Sequence, residues 1–308
     1  MKKCCVIGSI NMDMVTRTDK FPKPGETRRG TSFQTIPGGK GANQAVALSR
    51  LGIPTSMAGR IGDDIYGRMY MEHFEKTGTQ IKTLGMDTGT GTGIAAIEVD
   101  DAGENHIIVV PGANDTCTPA WLDEIFPLIS DADIFLMQLE IPLETVQAAV
   151  DKLHALGKTI ILDPAPARPL SRELLSKVSI VTPNATELVT ITGDLAESAG
   201  IQERARHLIQ MGVSCVVHKS GADGAYIALE DSWTHIPSFK VKAVDSTAAG
   251  DTFNGGLAAG LAQGYSLEKA VVLANAAAAL SVTKLGAQTG MPSMKEAQVL
   301  MDTIWADG

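Results

Sequence analysis

Short apolar runs alternate with amphipathic stretches along most of the chain. Residues 4–8 (CCVIG) carry no polar side chain, the pattern of a strand buried on both faces. Residues 41–51 (GANQAVALSRL) follow with apolar positions spaced as on one face of a helix, and Gly52 stands where a helix stop favours a left-handed residue. A strand at 56–60 and a helix at 65–76, ending before Gly78, repeat the theme. Further along, apolar runs at 133–136, 159–162, 180–181 and 214–218 predict strands. Helical patterns at 143–156, 170–176, 185–191 and 201–211 separate them. Strands divided by helices are βαβ units, so the chain predicts an α/β fold on a parallel sheet. Beyond residue 245 the pattern predicts helices alone, at 250–262, 267–284 and 294–301.

Two stretches break this rhythm. Residues 93–99 and 105–110 flank Asp100-Asp101-Ala102-Gly103 and predict a β-hairpin, which Gly89, Gly91 and Gly93 enter as a flexible segment. The segment 13–36 lacks helical periodicity and holds Pro22, Pro24 and Gly25. These inserts, about 13–36 and 90–112, predict a small β-structure projecting from the α/β body, with no core of its own. The chain of 308 residues therefore reads as one domain, 1–308, although ~150 residues per domain leaves room for two.

Composition then removes whole classes. A net charge of −9 argues against nucleic-acid or anionic-membrane binding, and 44% hydrophobic residues exclude disorder. No run approaches the ~18 apolar residues of a membrane span. The N-terminal apolar run is too short for a secretory signal, so a cytoplasmic location is the expectation. Cys4, Cys5, Cys117 and Cys215 form no CxxC pair and predict buried, inert thiols rather than a zinc site or disulfides. Some apparent motifs dissolve on inspection. Gly157-Lys158-Thr159 has Lys152 where a P-loop needs glycine, no GxGxxG follows the first strand, and the histidines lack metal-ligand spacing. Asn184-Ala185-Thr186 fits a glycosylation site but has no secretory context.

Three segments carry candidate chemistry. In Asp245-Ser246-Thr247-Ala248-Ala249-Gly250-Asp251, small residues lead to an acid at the start of a long helical pattern. Such a turn directs backbone N–H groups and the positive end of the helix dipole at an anion. The same dipole predicts an ionised Asp251 with a lowered pKa, suited to act as base for a hydroxyl attacking a phosphoryl group. A simple capping role explains an acid at that position equally well. In Pro37-Gly38-Gly39-Lys40-Gly41-Ala42-Asn43, glycines allow close backbone approach before a helix, and Lys40 and Asn43 are suited to bonding a polyol. A tight loop alone would use the same glycines. In Gly8-Ser9-Ile10-Asn11-Met12-Asp13, a carboxamide and a carboxylate lie at the end of the first strand, where parallel sheets bind ligands. An Asx-turn is the structural alternative.

Taken in order, these segments resemble the ribokinase family of sugar kinases, the phosphofructokinase-B-like kinases, over nearly the whole chain. The resemblance rests on GSINMD at 8–13, PGGKGANQA at 37–45, GRIGDDIYG at 59–67, Glu140 in MQLE, PNATE at 183–187, KSGADG at 219–224 and DSTAAGD at 245–251. It implies a Rossmann-like three-layer αβα sandwich with a mostly parallel central sheet and a small β-sheet lid. The implied reaction is ATP-dependent phosphorylation of D-ribose at O5. In that assignment Asp251 is the base, and Ala248, Ala249, Gly250 and Asp251 supply anion-hole amides. The sugar would be held by Asn11, Asp13, Gly39, Lys40, Asn43, Glu140 and Asp251. ATP would be held by Asn184, Lys219, Ser220, Gly221, Ala222, Asp223, Gly224, Gly250 and Asn275. Glu187 would organise Mg²⁺ through water. Asp245, Thr247, Ser281, Lys284, Gly286 and Gly290 would surround an activating K⁺, several through backbone carbonyls. The resemblance also implies a homodimer formed through the lid, with Ile94, Ile97, Val99, Ile107 and Val109 supplying one apolar face.

Two other readings compete. One is a kinase of the same fold for another acceptor, such as deoxyribose, fructose or a nucleoside like adenosine. A site built to bond a hydroxyl rejects the analogue that lacks it. The other is a sugar- or nucleotide-sensing protein on a kinase scaffold, against which Glu187, Gly250 and Asp251 argue, since a sensor needs no base.

Overall fold

The computed structural model describes residues 1–193 and 195–306. In chain order the elements are β1 (Cys4–Ile7), β2 (Asn11–Arg17), β3 (Ser32–Gly38), α1 (Lys40–Arg50), β4 (Thr55–Gly62), α2 (Ile65–Thr77), β5 (Leu84–Asp87), β6 (Gly93–Val99) and β7 (Asn105–Val110). Then come α3 (Pro119–Ile129), β8 (Ile134–Met137), α4 (Leu143–Ala155), β9 (Thr159–Leu162), α5 (Arg172–Leu175), β10 (Ile180–Val181), α6 (Ala185–Ile191), α7 (Ile201–Gln210) and β11 (Cys215–Lys219). The last part holds β12 (Ala225–Leu229), β13 (Ser232–Ile236), α8 (Ala249–Ala262), α9 (Leu267–Ser281) and α10 (Met294–Ala306).

Among the described residues the strands form a nine-stranded sheet, ordered β13-β12-β11-β10-β9-β8-β1-β4-β5, and a four-stranded sheet, ordered β3-β2-β6-β7. Pairing from β11 through β5 is parallel, and β12 and β13 add an antiparallel margin. The alternation of side chains along a strand explains why β1 has no polar face. Cys4 and Val6 pack into a core with α1, α8 and α9, while Cys5 and Ile7 pack into a second core with α3 and α4. Burial pushes the Cys4 and Cys5 thiols up to about 12, so both behave as inert apolar groups. Helix α8 crosses α9 at close range, because a Cβ on Gly256 would lie 2.7 Å from the Ala274 Cα.

The βαβ pattern read from the sequence corresponds to the parallel part of the large sheet. Elements without a strong period were not foreseen. Helix α3 carries Pro127 inside it, and β12 and β13 are five-residue strands joined by the Glu230-Asp231 turn. The two sequence inserts meet as the second sheet, in which β2 pairs in parallel with β6 and antiparallel with β3. Its floor is tied down: Asp64 accepts from the Thr92 N–H and hydroxyl, and Asp87 caps Gly89 and Thr90. Within the described residues no helix is long and apolar enough to cross a membrane.

Candidate active site

Parallel strands all point their carboxyl ends one way, and the polar residues of the site stand at that edge. Ser9 and Asn11 follow β1, Gln138 and Glu140 follow β8, Asp163 follows β9, Asn184 follows β10, and Lys219 ends β11. The bend from β1 into β2 is clasped by Asn114, which accepts from the Ile10 N–H and donates to the Ile10 carbonyl and to Asn11 Oδ1. Gly39 caps α1 with φ 87°, and a Cβ there would lie 2.6 Å from the Asn11 amide, so only glycine lets the two loops touch. Glu140 Oε2 receives the Ser9 hydroxyl at 2.5 Å and the Lys40 N–H at 3.1 Å, which binds the β8 loop to the start of α1.

Asp251 lies in the first turn of α8, a helix that starts immediately after Ala248 at φ 59°. Thr252 N–H donates back to the Ala248 carbonyl and Ala249 N–H donates to Ser246, whereas no backbone acceptor among the described residues takes the amides of Ala248, Gly250 or Asp251. These are the free first-turn donors that the sequence predicts, with Ala249 as the exception. The Asp251 carboxylate is buried and accepts from Asn43 Nδ2 at 2.9 Å and Gln44 Nε2 at 3.2 Å. Its pKa corrects the sequence expectation. Burial, with the Asp163 charge adding to it, outweighs the nearby Lys40 and the Asn43 and Gln44 donors, and pushes the carboxyl up to about 6 rather than down. Asp251 is therefore an ionised but more basic carboxylate at neutral pH, which suits a base better than a strongly acidic one would.

Around it stands a cluster of opposite charges. Burial works against the Lys40 charge, but Asp251, Glu140, Asp163 and Glu187 overcome it and raise its pKa. Lys219 is likewise raised against its burial by Asp163 and Glu187, with Nζ 2.7 Å from Asp163 Oδ1 and 3.6 Å from Glu187 Oε2. Asp13 is pushed up to about 7, first by burial and then by Glu140 and Asp251.

On the other side of the 249–250 turn is a cleft of about 450 Å³, lined by Ala249, Gly250, Gly224, Phe239, Asn275 and Val282 among others. Asn275 donates to the Ile236 and Pro237 carbonyls, which fixes its carboxamide in the cleft wall. Of the residues expected to hold a nucleotide, Lys219, Gly221, Ala222, Gly224, Gly250 and Asn275 line this cleft. Ser220 and Asp223 do not: Asp223 instead receives the Tyr226 hydroxyl. Asn184 caps α6 in a reciprocal box with Glu187, whose two oxygens accept from Asn184 N–H and Nδ2 at 2.7 and 2.8 Å.

Among the described residues no three His, Cys, Asp or Glu side chains gather as a metal cage. Both Glu187 oxygens are engaged, so the residues fit a divalent ion carried by phosphate oxygens and water, with Glu187 one shell out. Asp245 Oδ1 accepts from Thr247 and Oδ2 from the Gly286 N–H, and Gly290 packs so closely that a Cβ there would lie 2.3 Å from the Ser281 carbonyl oxygen. With both Asp245 oxygens engaged, a large monovalent cation would have to share them and draw the rest of its ligands from backbone carbonyls. The Lys284 side chain points away to Glu296, leaving only its backbone for such a role.

Sequence reasoning missed Gln44, Asp163 and Gln288. Asp163 was findable, because it follows a predicted parallel strand as Ser9 and Asn11 do.

The profile of the pfkB family carbohydrate kinases matches residues 1–294. A ribokinase of Bacillus subtilis is 43% identical over 302 residues, covering 98% of this chain and all of that protein. The crystal structure of a ribokinase from Thermotoga maritima superposes with a TM-score of 0.92 at 38% identity, covering 98% of this chain and 100% of that one. An Arabidopsis thaliana ribokinase complexed with ribose and ATP superposes with a TM-score of 0.91 at 31% identity, covering 97% and 98%.

Because Asp13 takes a proton more readily folded than unfolded, the folded chain binds more protons between the ordinary carboxylate range and about pH 7. Stability then falls as pH rises through that window. The ligand-free Asp13→Asn variant is expected to gain stability over wild type above pH 7, on the order of 1 kcal/mol, with the gap closing toward pH 4. Thermal unfolding across pH 4–8 checks this, and a gap that widens on acidification refutes it.

Proposed function

We infer the reaction from the premise that the chain belongs to the pfkB family of carbohydrate kinases: it is an ATP-dependent sugar kinase that phosphorylates D-ribose at O5. Support comes from full-length ribokinase relatives and from a solved relative complexed with ribose and ATP. The observation that carries the mechanism is the turn at 248–251. Its consecutive residues face two compartments, the cleft through Ala249 and Gly250 and the polar pocket through Asp251.

In this reading the pentose lies among Asn11, Asp13, Gly39, Lys40, Asn43 and Glu140, a set of donors and acceptors that matches vicinal hydroxyls. The adenine end of ATP enters the cleft beside Asn275, and the phosphates run toward Lys219. O5 attacks the terminal phosphorus, the bond to the bridging oxygen breaks, and ADP leaves with that oxygen. The O5 proton passes to Asp251. Charge spread over the transferring group meets the free amides of Ala248, Gly250 and Asp251 and the ammonium of Lys40. Glu187 would hold a divalent ion such as Mg²⁺ through water, and the ion would supply further neutralisation of phosphate charge there. The loop around Asp245, Thr247, Ser281, Lys284, Gly286 and Gly290 would hold K⁺ and brace the turn that leads to Ala248. The second sheet would close over the sugar as a lid and exclude water.

A second copy of the chain would cover the outer edge of that lid. All six residues of β7 are exposed, with Ile107, Ile108, Val109 and Val110 in succession on an unpaired strand edge. The cytoplasm remains the expected location, from the sequence alone.

Asp251→Asn is expected to lower kcat for ribose by about 100- to 10,000-fold while ribose still binds. The wild-type kcat/KM is expected to decline below about pH 6, where the raised Asp251 takes up its proton. Wild-type turnover in the variant, measured by coupled ADP release, ends the base assignment. Exchanging K⁺ for Na⁺ at constant Mg-ATP is expected to slow turnover several-fold, and equal rates in both salts refute the cation site. Light scattering of wild type is expected to give a dimer and of Ile108→Asp a monomer, and a wild-type monomer refutes the shared lid.

A further inference from the structure

Asn43 and Asp251 form the end of a longer chain of hydrogen bonds that the reaction scheme does not use. His73 Nε2 lies 2.5 Å from Gln288 Oε1, Gln288 Nε2 donates to Asn43 Oδ1 at 2.9 Å, and Asn43 Nδ2 donates to Asp251 Oδ2 at 2.9 Å. Asn43, Gln288 and Asp251 are all buried, and His73 is half-buried at the outer end. Gln288 is itself held from two directions. The Arg50 guanidinium donates to the carbonyls of Gln288 at 2.8 Å, Thr289 at 3.3 Å and Met291 at 2.8 Å. The buried Tyr70, whose hydroxyl donates to the Gly38 carbonyl, also touches the Gln288 side chain.

The polarity of this chain is one-way. A carboxylate can only accept, so Asn43 must present its NH₂ to Asp251 and its carbonyl oxygen to the opposite side. The group waiting on that side is the Gln288 NH₂, whose own oxygen faces the His73 ring nitrogen. Turning Asn43 over would set an oxygen against the Asp251 carboxylate and two NH₂ groups against each other. With Gln288 in place this orientation of Asn43 satisfies every buried atom. Without it, Asn43 Oδ1 is left buried and unpaired, and the carboxamide is held only from the Asp251 side.

We propose that Gln288 is a positioning residue for phosphoryl transfer: it fixes the Asn43 carboxamide and, through Asn43, the orientation of the Asp251 carboxylate. This rests on the reading of Asp251 as the base. Gln288 touches no reacting atom and acts only through its neighbour.

The test is a double-mutant cycle with Q288M, N43A and the pair, measuring kcat, the KM for ATP and the thermal midpoint. Q288M is expected to lower kcat about tenfold or more and to leave the KM for ATP within about twofold. In the N43A background the same substitution is expected to cost almost nothing, because its route to Asp251 is already cut. The proposal is overturned if Q288M turns over like wild type, or if its loss multiplies in full onto that of N43A. Should Q288M fail to fold, H73F replaces it in the cycle, since it removes the donor that orients Gln288 and leaves the loop intact. Asp251→Asn assayed alongside separates the two claims. A dead D251N with an additive cycle sinks only the role of Gln288, whereas an active D251N sinks the base and this inference together.

Discussion

A cluster of five largely buried acids around two lysines governs this molecule. Asp251, Asp163, Glu187, Glu140 and Asp13 gather within reach of Lys40 and Lys219, in a place where isolated ions would be costly. The cluster survives because four of the five carboxylates have fixed donors: Asn43 and Gln44 for Asp251, Gln44 and Lys219 for Asp163, Ser9 and the Lys40 amide for Glu140, and Asn184 for Glu187. Burial first, and the surplus of acids after it, raise the pKa values of Asp13 and Asp251. A substrate offering hydroxyl donors, and a polyphosphate arriving with its own cation, would both relieve that surplus.

The parallel sheet makes such a cluster possible. Every strand from β1 to β11 that borders the site ends at the same edge, so side chains far apart in sequence converge without long loops. The apolar cores on both faces hold that edge rigid, and α8 enters between α1 and α9 to bring Asp251 over it. A site built on strand ends and helix starts keeps its geometry better than one built on loops.

How much of this was legible in the sequence follows from the range of the interactions. The turn at 245–251 and the glycines at 38, 39 and 41 stand out locally as small residues ahead of a helix, although a cap or a tight loop would use the same residues. The parallel strands were legible because burial on both faces leaves uninterrupted apolar runs. Gln288 was invisible, since its partner Asn43 is 245 positions away and its own surroundings hold no motif. The direction of the Asp251 shift was misread for a related reason: the dipole is a local property of α8, whereas burial comes from the whole fold. Strand β13 escaped because it lies at the sheet margin, largely exposed, and its SWTHI sequence mixes polar with apolar residues instead of forming an apolar run.

Asn43 and Asp251 are joined by one hydrogen bond across 208 positions. All nine strands of the large sheet precede α8 in the chain, so during synthesis the residue proposed as the base is made only after them. A chain still short of α8 would hold the loops proposed to face the pentose but none of the proposed catalytic turn, and would have no means of wasting nucleotide.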